Sequence, residues 1–161
     1  LTSGHGGSSP PGMALAAWRR GFRVELHLNT HDALFLDGVR NREKKAVMEL
    51  VHQDFMAQIK DTNIELHYDN ITLAELETKF NQGGIPLVLI SSYSYTRDKA
   101  PHWVVVSGID DTFVYIHDPD EDEDTYRSHT DNIYLPIGRQ TFDNSFRFGR
   151  TSLRTCVIIY K

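Results

Sequence analysis

His102 and Asp118 are the residues whose types and spacing best suit acid–base chemistry in this sequence. His102 opens the apolar run Trp103-Val104-Val105-Val106, and Asp118 follows a second run, Phe113-Val114-Tyr115-Ile116. Between them, Ser107-Gly108-Ile109-Asp110-Asp111-Thr112 carries the Gly and Asp that favour a tight antiparallel connection. Antiparallel register can bring the start of one strand and the end of the next to one sheet edge. An imidazole and a carboxylate could then meet, the carboxylate fixing the ring's tautomer and stabilising its cation, as a general base requires. Pro101 and Pro119 stiffen the backbone beside the two positions. The same residues are compatible with a surface strand end at His102 and a solvated acidic loop beginning at Asp118. Contact between the two side chains is what separates the readings.

The elements that must position this pair are legible from periodicity. Ser8-Ser9-Pro10-Pro11 supplies N-cap oxygens and a first-turn proline for a helix through Met13-Ala14-Leu15-Ala16-Ala17-Trp18, with Gly21 suited to end it. Phe22 to Leu28 alternates apolar and polar residues, the period of a half-buried strand. Asn41 to Lys60 places Val47, Leu50, Val51, Phe55 and Ile59 near helical spacing, so a long amphipathic helix is expected. A short strand around Ile64 to His67 follows, and Thr72 caps a helix over Leu73 to Asn81 that Gly83-Gly84 terminates. The continuous apolar run Ile85 to Ile90 reads as a strand covered on both faces. Gly138 to Asn144 suits a short helix, and Leu153 to Tyr160 a last strand. Helices first and an antiparallel-looking sheet second give an α+β class rather than alternating α/β.

Composition narrows the function. With 161 residues, 40% hydrophobic and 24% charged, the chain is expected to form one domain with a substantial core. The net charge of −5 argues against binding nucleic acid or an anionic membrane, both of which need a basic surface. Its apolar runs are too short to span a bilayer. One cysteine, Cys156, excludes an internal disulfide and a Cys-rich zinc site and suits a reducing, cytoplasmic setting. The glycine-rich opening Leu1-Thr2-Ser3-Gly4-His5-Gly6-Gly7 has neither Met nor a signal-peptide pattern, and is read as part of a longer polypeptide.

Other constellations are weaker. His27 and His31 in HLNTH have the outer spacing of a helical zinc motif, but the segment reads as a strand and no third ligand is implied. The acidic run Asp118 to Asp124 lacks the glycine and distal glutamate of an EF-hand loop and reads as a solvated loop. No metal and no cofactor is expected.

Taken in order, the PHWVVVSGID segment, the strand after it and the Asp118-Pro119 that follows resemble the bacteriocin-leader (double-glycine) peptidase group of papain-like cysteine peptidases. The likeness is greatest to a bacterial branch often fused to an N-acetyltransferase domain. GHGGSSPPGMALAAWRRGFRVEL, Phe35 to Arg40 and Glu43 to Met48 are similar to that branch as well, so the resemblance runs from about Gly4 to about Asp120. It implies a papain-like fold, with N-terminal helices packed on a largely antiparallel sheet. It also implies His102 as the catalytic histidine and Asp118 as the residue that orients it.

The nucleophile is where the chain departs. In the family it lies in a Q…CGPA segment on a first helix, expected N-terminal to the stretch resembled here, and no such segment is present. The domain is therefore expected to lack its nucleophile helix and to expose an apolar groove where that helix would pack. Cys156 sits in a strand-like run at the wrong end and reads as a small core residue. Some relatives carry Cys where Ser8 stands; Ser8 and Ser9 otherwise read as helix caps. The expectation is a Cys/His/Asp peptidase-like domain acting on a peptide or protein, inactive without its nucleophile. The alternative is a non-catalytic module that holds a peptide or a partner on the same fold.

Overall fold

The structure is a computed structural model describing residues 8–36, 39–91, 101–119 and 129–161. Helix α1 (Pro10–Trp18) leads to β1 (Arg23–Leu28), α2 (Arg42–Lys60), β2 (Glu65–Tyr68), α3 (Leu73–Asn81) and β3 (Ile85–Ser91). The second half is β4 (Pro101–Ile109), β5 (Phe113–His117), a 3-10 turn (His129–Asn132), β6 (Leu135–Gly138), α4 (Arg139–Ser145) and β7 (Thr155–Tyr160). The strands form one sheet in the order β2-β1-β7-β3-β4-β5-β6. Every neighbouring pair is antiparallel except β1 and β2, which are parallel. The α+β class and the largely antiparallel sheet are as the sequence indicates.

Local chemistry explains the helices. Ser9 caps α1, its hydroxyl accepting from the Gly12 N–H at 3.1 Å, and two prolines fill the first turn. Asn41 caps α2 by accepting from the Lys44 N–H at 3.0 Å. Thr72 and Glu75 form a reciprocal capping box on α3. Gly83, at φ +88°, supplies the left-handed turn that ends α3. Its neighbour Gly84 lets the chain pass so close to β7 that a Cβ would lie 2.7 Å from Ile158 Cγ2.

Strand alternation splits the core between the two sheet faces. On one, Leu26, Leu89 and Val157 pack with Leu15 of α1 and Ile59 of α2. On the other, Val88, Ile90, Val104, Val106 and Cys156 pack with Leu76 of α3 and with Phe142 and Phe146 of α4. The amphipathic reading of α2 needs a correction in its first half. Ile59 is buried, but Val47 and Leu50 are 42% and 65% exposed, because the packing of α2 is concentrated in its C-terminal half.

One strand, β6, was not expected. β6 carries Pro136, which cannot donate to a ladder, and is tolerated as the last strand of the order with β5 alone beside it. Pro86 lies inside β3 but beyond the β4 ladder, whose register starts at the Leu87–Val105 pair. Among the described residues no helix is long and apolar enough to cross a membrane. Residues 120–124 of the acidic run, and residues 4–7 and 37–38 of the family-like stretches, lie outside the described residues.

Candidate functional site

β4 begins at Pro101, a position where a missing N–H is harmless, and His102 is its second residue. Across the hairpin, Val105 pairs with His117 and Val106 with Ile116, but beyond Ser107 the register shifts, so that Gly108 meets Tyr115. Ser107 is the extra residue of this bulge, and its hydroxyl donates to the Tyr115 carbonyl at 3.2 Å. Extending the Val105–His117 register by one step sets Val104 opposite Asp118. Asp118 therefore shares a sheet face with Val104 and, two residues along, with His102. Without the bulge, the register at the turn would carry on unchanged and place Asp118 on the opposite face.

The two side chains do meet. His102 Nε2 lies 2.6 Å from Asp118 Oδ1, with the side chains 21% and 26% exposed. A carboxylate only accepts, so it holds the proton on Nε2 and makes Nδ1 the ring nitrogen through which a proton would be exchanged. The backbone of Asp118 is held as well, its N–H donating to the Asn132 carbonyl at 2.8 Å. Asn132, 5% exposed, ends the 3-10 turn that follows in the chain.

The N-terminus of α1 comes to the same strand end. Trp103, the residue after His102, donates from Nε1 to the Ser8 carbonyl at 3.0 Å. Ser9 is committed to capping, which leaves Ser8 as the hydroxyl residue just ahead of the helix. From Ser8 an apolar cleft of about 330 Å³ runs along α1, lined by Met13, Ala16, Phe22, Leu87 and Ile159 among others. A larger and more polar cleft of about 650 Å³, lined by Asn29, Asp143 and Arg154, shares no lining residue with the first or with the His102–Asp118 pair.

Cys156 is fully buried in β7, and burial pushes its thiol pKa up, away from nucleophile chemistry. The pairing of His27 with His31 is corrected. β1 ends at Leu28, so His31 lies beyond the strand and stacks on Tyr68 with ring centroids 3.7 Å apart. His27 instead faces His67, its register partner on β2, at a centroid distance of 4.5 Å. With Glu25 these two form a cluster, Glu25 and His27 buried and His67 partly so, in which one ligand atom from each residue lies within 4.8 Å of the others. Sequence reading missed Glu25 and His67 because a parallel pairing between distant segments leaves no local spacing to find. The alternation Glu25-Leu26-His27, polar residues facing one way in an otherwise buried strand, was the available signal.

No curated protein and no solved structure matches the chain. One family does match, over residues 1–160, which takes in α1, the whole sheet and the His102–Asp118 pair. On that match the chain belongs to the Peptidase_C39 like family.

Proposed function

We propose that His102 and Asp118 are the proton-handling half of a Cys/His/Asp peptidase site, and that its attacking position is the N-terminus of α1, where this chain has Ser8. The observation that carries the reading is the 2.6 Å contact between His102 Nε2 and Asp118 Oδ1. The Trp103–Ser8 hydrogen bond supports it by bringing the start of α1 to the strand end that carries His102, from the sheet face opposite to the His102 side chain. Membership of a peptidase-like family supplies the reaction class.

In such a site His102 takes the proton of the attacking group while sulfur or oxygen adds to the peptide carbonyl carbon. The proton returns to the leaving amine as the C–N bond breaks. Water then hydrolyses the acyl intermediate. A thiol gives up its proton near pH 8.5 and a serine hydroxyl far less readily, so Ser8 makes a weak nucleophile here. The domain is accordingly a peptide-holding one, with the apolar cleft beside Ser8 taking an apolar side chain and little or no cleavage following.

Ser8→Cys tests this in the full chain, because buried Cys156 adds little background to alkylation by iodoacetamide. The new thiol should titrate below about pH 7.5, and Ser8→Cys/His102→Ala should return it to about 8.5. A Ser8→Cys thiol that titrates near 8.5 with or without His102 would overturn the assignment of the attacking position.

A further inference from the structure

We propose that Glu25, His27 and His67 form a binding site for a divalent transition-metal ion, zinc above all, at the β1–β2 end of the sheet. Neither the peptidase chemistry nor the sequence motifs call for it. The inference rests on three residues whose ligand atoms lie within 4.8 Å of one another and on two buried imidazole nitrogens without a hydrogen-bond partner.

His27 is 4% exposed, and its Nδ1 lies 3.0 and 3.2 Å from the two carboxylate oxygens of Asp69. Because a carboxylate can only accept, Nδ1 carries the proton and Nε2 of the neutral ring presents a lone pair. That lone pair points into the protein, 3.6 Å from Glu25 Oε2, which is also an acceptor. His67 stacks on His27 with an interplanar angle of 13°, one of its ring nitrogens lies within 4.8 Å of the other ligand atoms, and a ring must turn for both lone pairs to meet one ion. All three of Glu25 Oε2, His27 Nε2 and His67 Nε2 are buried; Glu25 Oε2 is ion-paired with Lys79, while neither imidazole nitrogen has a hydrogen-bond partner. Such an arrangement costs free energy unless a cation sits among the three.

Lys79 supplies part of the charge. Its ammonium lies 2.7 Å from Glu25 Oε2 and satisfies that oxygen in the absence of metal, but the two imidazole nitrogens keep no hydrogen-bond partner. Its side chain is 29% exposed, so the ammonium can swing outward on its flexible stem when a metal enters.

The donor set and spacing suit zinc. Two neutral imidazoles and one carboxylate are ligands zinc takes at about 2.0–2.2 Å, leaving a fourth position for water. Tetrahedral ligands at that distance stand roughly 3.3 Å apart, close to the 3.6 Å between His27 Nε2 and Glu25 Oε2. Asp69, accepting from the far nitrogen of His27, stands where a carboxylate orients a metal-bound histidine and raises its basicity. Bound metal would tie the edge strand β2 to β1 through His67 and His27.

The test uses the full chain, stripped with chelator and dialysed against zinc chloride. Its readouts are zinc retained per chain, affinity by chelator competition, and Tm with and without zinc. One zinc per chain and a raised Tm are expected for the wild type. His67→Gln should lose stoichiometric retention and the Tm rise while keeping the wild-type far-UV circular dichroism spectrum. Should His67→Gln fail to fold, Asp69→Asn at a 46% exposed side chain still tests the site, with an expected loss of about 10–100-fold in affinity. Substoichiometric retention by the wild type, or equal retention by all folded variants, would overturn the proposal.

Discussion

Two histidines of this chain show how surroundings set what one side chain can do. His102 has a carboxylate at 2.6 Å and a fifth of its surface open, so its ring is oriented by a partner and still reachable from outside. His52 on α2 is half-buried, and burial pulls its pKa below the ordinary value, with the Asp32 charge opposing the shift. The consequence for stability has a definite sign. Below the ordinary histidine pKa of about 6.5 the unfolded chain takes up a proton that folded His52 still refuses. The contribution of His52 is therefore complete above about pH 6.5 and is lost as pH falls from there to the folded value. A His52→Gln variant should lose less stability than the wild type between about pH 7 and pH 5, in urea titrations at both values. Equal acid losses in the two proteins, or a His52 ring resonance titrating at or above 6.5, would refute this.

At the scale of elements, α3 places Lys79 beside Glu25 and Leu76 in the core, so its N-terminal cap supports more than the helix itself. Thr72 Oγ1 accepts from the Glu75 N–H at 3.2 Å, and Glu75 Oε2 accepts from the Thr72 N–H at 2.7 Å. Thr72→Ala should cost about 1 kcal/mol, read as a lower urea midpoint at unchanged slope. The backbone hydrogen bond from Thr72 is the main cause that holds the Glu75 carboxyl below its ordinary range. That stabilisation is present above the ordinary value and disappears as pH falls through the folded one, so Glu75→Gln should cost stability at neutral pH and nothing in strong acid. A Glu75→Gln cost that persists in acid would show that the carboxylate charge is not what the cap uses.

This capping box, the α3 boundaries and the β4–β5 hairpin were readable in the sequence because each is written within a few residues. So was the candidacy of His102 and Asp118. The bulge at Ser107 that puts them on one face was not, since a single extra residue leaves no mark on an apolar run. Nor was the place of α1. Its sequence shows a capped helix, whereas its approach to Trp103 depends on tertiary packing between segments 95 residues apart. β6 was hidden by Pro136, and the Glu25–His27–His67 cluster by a parallel pairing that local periodicity cannot report.

On the scale of the whole molecule, β7 is the strand on which everything meets. It pairs with β1 on one side and β3 on the other, so the last strand of the chain joins the α1–β2 half to the β3–β6 half. Cys156 lies in that strand with no exposed surface, paired with His27 on β1 and with Val88 on β3. Uncovering it takes the loss of α3 and α4 from this sheet face or the separation of β7 from a neighbour. If the two halves form one cooperative domain, Cys156 should react with Ellman's reagent only as the whole fold opens. Thiol exposure and loss of far-UV circular dichroism should then share one midpoint in urea. Labelling that runs ahead of the spectroscopic transition would mean that the helix layer over Cys156 or the sheet along β7 opens before the rest, and that the fold is not one cooperative unit. Cys156→Ala, which shortens the side chain at a fully buried position, should lower the common midpoint without splitting the transition.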